Sequence, residues 1–221
     1  MFRYKHITLI CGHYGSGKTN VALNMAMDLK KQHGNTALAD LDIVNPYFRT
    51  ADSRQMLESL GIRLICSDYA ASNVDLPSLP QDIYAITELK EMKTVIDIGG
   101  DDRGALALGR LRDAIKTEGD YDMFIVVNRY RPLTRGAEQT VDVIREIEQA
   151  CGIAATGLIN NSNLGEATTI QTVADSIKYA EEISSLSGLP VVMTTLDEKL
   201  FSECSETVPG LFPLKLQDKI I

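Results

Sequence analysis

Short apolar runs alternate with longer amphipathic stretches from one end of the chain to the other. Most of the apolar runs lack a strict alternation of polar and apolar residues, which is typical of strands covered by helices on both faces. They predict strands at 6–11, 36–41, 62–67, 94–98, 121–127, 154–160 and 189–194. The amphipathic stretches predict helices near 18–33, 50–60, 81–92, 103–118, 135–150 and 166–187.

This order of elements predicts the fold class. A regular strand–helix alternation implies an α/β protein of three layers, in which helices cover both faces of a mostly parallel, doubly wound sheet. The chain contains no internal repeat, low-complexity tract or linker, so we expect residues 1–221 to form a single domain. Residues 197–221 depart from the pattern, because Pro209-Gly210 and Pro213 interrupt every regular periodicity there.

Composition and charge narrow the class of protein. The chain is 44% hydrophobic and carries a formal net charge of −8, which disfavours general nucleic-acid binding. The four cysteines are scattered without a C-x-x-C pair, which predicts reduced thiols in a cytoplasmic protein and no iron–sulfur or zinc site. No apolar run approaches the ~20 residues that a membrane span needs. The short apolar run at the N-terminus leads into a glycine loop and therefore predicts a buried strand, not a signal peptide.

The segment Gly12–Thr19, GHYGSGKT, matches the pattern G-x-x-x-x-G-K-[ST] of a phosphate-binding loop. Glycines let successive backbone N–H groups face a β-phosphate, and the following helix presents its positive end. Lys18 is expected to reach the β- and γ-phosphates, and the Thr19 hydroxyl to coordinate Mg²⁺. The predicted nucleotide-binding residues here are Gly12, His13, Tyr14, Gly15, Ser16, Gly17, Lys18, Thr19 and the adjacent Asn20.

Carboxylates at the ends of two predicted strands complete this site. Asp97 ends the apolar run TVID and precedes Ile98-Gly99-Gly100, the arrangement expected to hold the Mg²⁺ water shell and sense a γ-phosphate. Asp40 and Asp42 end the second strand two residues apart, so they face the same side of an extended chain. We expect one of them to orient the attacking water and the other a magnesium-bound water. Lys18, Asp42 and Asp40 are the predicted catalytic residues, and Thr19, Asp40 and Asp97 the predicted metal site.

The set Gly12–Thr19, Asp40-x-Asp42 and Asp97-x-x-Gly100 resembles the ParA/MinD-type ATPases of the CobQ/CobB/MinD/ParA group. The resemblance implies the sheet order 3-2-4-1-5-6-7, with the two carboxylate strands flanking the phosphate-loop strand. It also implies ATP hydrolysis coupled to homodimerisation or to binding of a protein partner. Asn160 is similar to the asparagine that reads the adenine edge in that family, and Asp197 lies in what resembles its base-side loop.

The sequence departs from the family at the start of the loop. Many of these ATPases carry an extra lysine there, which contacts the nucleotide of the partner subunit, whereas this chain has His13 followed by Tyr14. A neutral imidazole replaces a fixed cation poorly. Arg49, Arg103 and Arg129 are candidate neutralisers of phosphate charge, although a surface or structural role is the more common one for such arginines.

Several motifs that the sequence lacks narrow the expected ligand and partners. No cysteine pair matches an iron–sulfur cluster shared between subunits, and the C-terminal LFPLKLQDKII lacks the long apolar face of a membrane-targeting helix. Asn128-Arg129-Tyr130-Arg131 and Asn160-Asn161-Ser162-Asn163 offer no carboxylate at the fourth position of an N-K-x-D motif, which favours ATP over GTP.

The sequence supports three functional hypotheses. The first is an Mg²⁺-dependent, weak ATPase that acts as a nucleotide-dependent switch for a protein partner, with segments 42–50 and 97–104 relaxing when the γ-phosphate leaves. The second is a small-molecule kinase or amide-forming synthetase, in which Asn45-Pro46-Tyr47-Phe48-Arg49 would line an acceptor pocket. The third is a nucleotide-binding protein that does not hydrolyse its ligand.

Overall fold

The computed structural model describes residues 1–42, 51–66, 85–100, 102–204 and 210–216. Within them, eight strands form one sheet in the order β3-β2-β4-β1-β5-β6-β7-β8, and every neighbouring pair is parallel. The strands are β1 Ile7–Cys11, β2 Thr36–Asp40, β3 Arg63–Cys66, β4 Lys93–Asp97, β5 Tyr121–Val127, β6 Gly157–Asn160, β7 Val191–Asp197 and β8 Leu211–Leu214. The predicted order of the first seven strands is therefore confirmed.

Helices join consecutive strands. They are α1 Lys18–Gln32, α2 Ala51–Ser59, α3 Ala85–Glu88, α4 Asp102–Glu118, α5 Ala137–Cys151, α6 Ile170–Ser187 and α7 Glu198–Cys204. Short 3₁₀ turns at Pro132–Thr134 and Gly165–Ala167 precede α5 and α6. A capping box between Thr169 and Thr172 begins α6 at Ile170, four residues later than predicted.

Two buried apolar clusters hold the helices against the sheet. On one face, side chains of α4, α5 and α6 such as Leu111, Ile144 and Ile183 pack on the strands. On the other face, α1 packs on them through residues such as Leu23 and Leu29. Each fully buried side chain of this size contributes about 1.5–3 kcal/mol. The three-layer α/β/α architecture is confirmed, and it fixes the carboxyl ends of the strands in one row.

One predicted helix is too long, and no element was predicted for the end of the chain, where the structure has two. The predicted helix at 81–92 is helical only over Ala85–Glu88 within the described residues, because a turn at Leu89–Met92 leads Met92 into the core before β4 begins. The chain after β7 contains α7 and an eighth strand, neither of which was predicted. Pro213 lies inside β8, and an edge strand tolerates proline because one row of its backbone groups needs no partner.

No helix among the described residues is both long and apolar enough to cross a membrane.

Candidate nucleotide-binding site

The segment after β1 is a tight loop that ends in α1. Gly17 has φ +89° and precedes the first residue of the helix, a left-handed conformation that glycine adopts without strain. The Ser16 N–H donates to the His13 carbonyl at 3.1 Å and closes the turn. The loop therefore delivers the N-terminus of a fifteen-residue helix to the edge of the sheet, where helix N–H groups favour an anion.

Polar groups inside this loop lack the partners that buried groups normally have. The Ser16 hydroxyl is buried and makes no hydrogen bond within the described part of the chain. Lys18 is only 5% exposed, and its Nζ donates a long bond of 3.4 Å to the His13 carbonyl. A buried ammonium group and a buried hydroxyl are costly unless a ligand satisfies them. This arrangement fits phosphate oxygens bound at the loop.

The carboxylates predicted from the sequence lie beside Lys18. Asp40 and Asp97 are paired in the register of β2 and β4 and are both buried. Beyond β2 the Leu41 N–H donates to the Asp97 carbonyl at 2.8 Å, and the Asp42 N–H donates to the Asp40 Oδ1 at 2.9 Å. These bonds hold Asp42 close to Asp40 directly after the strand ends.

Burial and neighbouring charge make Asp97 a basic carboxylate. Burial, with a further upward contribution from Asp40, raises its pKa from 3.8 to about 7. The hydrogen bond with Thr19 and the charge of Lys18 oppose the shift without cancelling it. Its Oδ1 is buried without a hydrogen-bond partner among the described residues. A divalent cation near this oxygen would replace the lost solvation.

These residues fit Mg²⁺ only as part of a shared coordination shell. Within the described residues, no three His, Cys, Asp or Glu side chains converge to enclose a metal ion by themselves. Mg²⁺ commonly keeps several waters and takes one or two protein ligands together with substrate phosphates. The predicted set of Thr19, Asp40 and Asp97 suits that mode, in which these residues would hold the metal and the metal would neutralise phosphate charge.

The segment after β4 touches the phosphate loop. A Cβ added to Gly100 would stand 2.7 Å from the Tyr14 nitrogen and 2.8 Å from the Lys18 Nζ. A Cβ added to Gly104, in α4, would collide with the backbone of Gly99. Any side chain at position 100 or 104 would therefore push apart the loop, this segment and the start of α4.

A family model of the CobQ/CobB/MinD/ParA nucleotide-binding domain matches residues 7–169. The chain belongs to this family. Among curated protein sequences, no relative matches.

Several solved structures share the fold at low identity. FtsY from Mycoplasma mycoides matches with a TM-score of 0.55 and 19% identity over 89% of this chain and 62% of its own. Chloroplast FtsY from Physcomitrella patens matches with a TM-score of 0.55 and 16% identity over 88% of this chain and 59% of its own. This chain thus spans about three fifths of the length of those proteins. Likeness at this level of identity concerns the fold alone.

The strands on the far side of β1 brace the phosphate loop of this family member. The Asn161 Nδ2 donates to the Ser16 carbonyl at 2.7 Å, and the Thr195 hydroxyl donates to the Asn161 Oδ1 at 2.6 Å. Both side chains are buried. The Asn161 amide also packs so closely on Gly17 that a Cβ there would overlap it. Sequence reasoning missed both braces, because it assigned the functional asparagine to the preceding position.

Asn160, predicted to read adenine, points into the protein. Its Nδ2 donates to the Ser176 hydroxyl at 2.9 Å, and its Oδ1 accepts the Ser162 N–H at 3.3 Å. It is fully buried. The side chain is thus enclosed in this structure, and its contact with a base stays a prediction. Asp197 ends β7 and accepts the Lys199 N–H at 3.0 Å, which leaves its second oxygen for other contacts.

The remaining predicted residues of the loop differ in exposure. Tyr14 is 66% exposed at the tip, and the half-buried His13 contacts the Tyr14 carbonyl through Nδ1 at 3.1 Å. Asn20 accepts a bond from Asn24 inside α1, which ties it to the helix. Tyr14 is thus the loop side chain most available to a ligand from solvent.

The structure describes the side chain of one of the three candidate arginines, Arg129, and places another arginine, Arg131, at the loop. Arg49 and the Arg103 side chain lie outside the described residues. Arg129 points away from the loop, with its Nη1 donating to the Asp175 carbonyl at 2.6 Å. Arg131 reaches the phosphate loop instead, with its Nε donating to the Gly15 carbonyl at 2.7 Å. The chain places Arg129 and Arg131 on opposite sides of one turn, which no local pattern distinguishes.

Proposed function

We propose that this protein is an Mg²⁺-dependent ATP-binding protein and weak ATPase that acts as a nucleotide-dependent switch for a protein partner or for a second copy of itself. Membership of the CobQ/CobB/MinD/ParA nucleotide-binding domain family supports the nucleotide. The absence of an N-K-x-D motif supports adenine over guanine. One observation carries the switch: Gly100 lies against the Lys18 Nζ and the Tyr14 backbone.

This contact makes the position of one segment depend on the ligand. A γ-phosphate bound by Lys18 needs space next to the atoms that Gly100 approaches. We therefore expect the segment to move when ATP replaces ADP. Because Gly99 packs directly on Gly104, the movement passes into α4, which is seventeen residues long. A rigid helix that shifts at one end is a common way to expose or hide a docking surface.

The same residues support slow hydrolysis. Lys18 and the N–H groups of the loop would hold the phosphates, and Asp42 would orient a water for in-line attack. Mg²⁺, when bound, supplies charge neutralisation between the β- and γ-oxygens. Asp40 and Asp97 would hold the water shell of the metal, in which case Asp97 works as a carboxylate with its charge restored.

Steady-state ATP hydrolysis by the purified protein tests this proposal, together with hydrogen exchange of the segment 97–104 in ADP and in a non-hydrolysable ATP analogue. We expect slow basal turnover, lost in Asp42→Asn with ATP affinity retained, and unchanged in the exposed control Asp142→Asn. We also expect exchange in 97–104 and in early α4 to differ between the two nucleotides. Equal exchange in both would contradict the switch even if the protein hydrolyses ATP.

A cavity beside the loop favours a second candidate. It has a volume of about 200 Å³ and is lined by Gly12, His13, Gly99, Leu108 and Cys151 among others. This volume suits a fragment of a small acceptor next to the expected γ-phosphate, as in a small-molecule kinase or amide-forming synthetase. Rapid ATP consumption only in the presence of a small metabolite would support this candidate over the switch.

A further inference from the structure

Arg131 is held in one place by the turn that follows β5. Its N–H donates to the Asn128 carbonyl at 3.2 Å, and its carbonyl accepts the Thr134 N–H at 3.2 Å. The Thr134 hydroxyl also donates to the Asn128 carbonyl at 2.7 Å. Asn128 and Thr134 are both buried. The backbone that carries Arg131 is therefore part of the rigid frame of the sheet.

The side chain of Arg131 crosses from this turn to a loop more than a hundred residues away in sequence. Its Nε donates to the Gly15 carbonyl at 2.7 Å, and a Cβ at Gly15 would lie 3.7 Å from that nitrogen. In the part of the chain that the structure describes, neither Nη group of Arg131 has a hydrogen bond or an ion pair. Four N–H donors and a full positive charge are thus held at the edge of the phosphate loop.

The charge balance of the site calls for such a group. Lys18 is the one cationic side chain of segment 12–19 with a fixed charge. Asp40, Asp42 and Asp97 lie on its other side, and all three are buried or nearly so. A nucleoside triphosphate adds about four negative charges to this surface, and charge-assisted bonds to phosphate are strongest from arginine's planar fork.

We propose that Arg131 is a nucleotide-contacting residue, which binds the phosphates through its Nη groups while its Nε stays on the Gly15 carbonyl. It supplies the second fixed cation of the phosphate loop, from the turn after β5 instead of from the loop itself. The inference rests on the proposed nucleotide binding. It applies to nucleoside di- and triphosphates alike and does not require hydrolysis.

Titration calorimetry with ATP and with inorganic tripolyphosphate, at two salt concentrations, tests this inference. Loss of a hydrogen-bonded charge predicts that Arg131→Gln weakens both ligands by about 10- to 100-fold and flattens the salt dependence of binding. Arg131→Lys, which keeps the charge, should recover part of that loss. The matched control is Arg129→Gln, the same charge change two residues away on a side chain bonded to the Asp175 carbonyl. It should change affinity by less than about twofold.

The thermal midpoint of the nucleotide-free variants separates this role from that of a structural tether. A tether would lower the midpoint of Arg131→Gln and leave the salt dependence of ATP affinity as in the wild type, and that pair of results overturns the inference. Equal ATP affinities of Arg129→Gln and Arg131→Gln overturn the inference as well. In both cases the proposed function stands as long as the wild type binds ATP. If the wild type binds neither ATP nor tripolyphosphate, the proposed function and this inference fail together.

Discussion

On one side of the phosphate loop, β2 and β4 end in Asp40 and Asp97, whereas on the other side β6 and β7 bring Asn161 and Thr195 against the loop backbone. The carboxylate side is buried and electrostatically strained, since burial, together with the charge of Asp40, raises the pKa of Asp97 to about 7. The amide side is equally buried, but its brace donates and accepts along a continuous chain from Thr195 to Ser16.

The two sides therefore have different roles in one site: one responds to a ligand, and the other maintains the shape of the loop. Strained groups change their energy when a cation or phosphate arrives, so the carboxylate side is where a ligand alters the protein. Satisfied groups resist movement, so the amide side keeps the loop in a fixed shape whether or not a ligand is present. Mutations on the two sides should therefore have different signatures, and four experiments test this.

Lys18→Met should have the largest effect. Lys18 is expected to make charge-assisted bonds to two phosphates, each contributing about 1.5–3 kcal/mol, so ATP affinity should fall by about 10²- to 10⁴-fold. Calorimetry measures the loss, and Lys31→Met, an exposed lysine in the last turn of the same helix, is the control. If Lys18→Met retains its ATP affinity, the loop is not the ATP-binding site.

Substitutions of buried residues usually lower the free energy of unfolding, but Asp97→Asn should raise it at alkaline pH. Because the pKa of Asp97 is raised from 3.8 to about 7 in the folded protein, the folded state binds more protons than the unfolded state between these values. The free energy of unfolding should therefore fall as pH rises from about 4 to about 7, by on the order of 4 kcal/mol from this group. Asparagine carries no charge, so the nucleotide-free variant should be more stable than the wild type at pH 8.5.

Urea unfolding at pH 5, 7 and 8.5 measures this difference, with Asp113→Asn as an exposed control on α4. Addition of Mg²⁺ and ATP should narrow the gap, because the cation stabilises the wild-type carboxylate and not the amide. A wild type more stable than Asp97→Asn at pH 8.5 without ligand would show that the carboxylate side is not strained.

The carboxylate side could be predicted from the sequence because the motifs that indicate it are short and continuous. The loop pattern occupies eight consecutive residues, and Asp40 and Asp97 each end an apolar run. In a parallel sheet such ends meet at one edge, so the strand order alone was enough to bring them together. The predicted strand 36–41 was one residue too long, since β2 ends at Asp40.

The amide side could not be predicted in this way. The bond from Asn161 to the Ser16 carbonyl joins residues 145 positions apart, and the choice between Asn160 and Asn161 depends on where β6 ends. The same holds for Arg131 against Arg129, whose directions are set by one turn. The strand β8 was hidden for a different reason, because Pro213 has a low strand propensity that only an edge position tolerates.

Asn161→Ala should loosen the loop without touching the ligand. It removes a buried 2.7 Å bond to the Ser16 carbonyl, and it leaves the Thr195 hydroxyl with only its longer bond of 3.3 Å to the Asn160 carbonyl. We expect the free energy of unfolding to fall by about 1–3 kcal/mol at every pH. ATP affinity should fall by about tenfold, since loop rigidity contributes to binding. Asn163→Ala is the control, because its side chain bonds only within its own turn. If the loss in free energy of unfolding of Asn161→Ala depends on pH, the two sides do not differ in the way proposed.

Thr195→Val should have the smallest effect and tests whether the brace acts as a unit. It keeps the shape of the side chain but removes the 2.6 Å bond to the Asn161 Oδ1 and the 3.3 Å bond to the Asn160 carbonyl. The free energy of unfolding should fall by about 1 kcal/mol, and Thr195→Ser, which keeps the hydroxyl, should recover part of it. If Thr195 acts through Asn161, the double variant with Asn161→Ala should cost less than the sum of the two single losses. Additive losses would mean that Thr195 stabilises its strand alone, and that the amide side is a set of separate contacts instead of one connected brace.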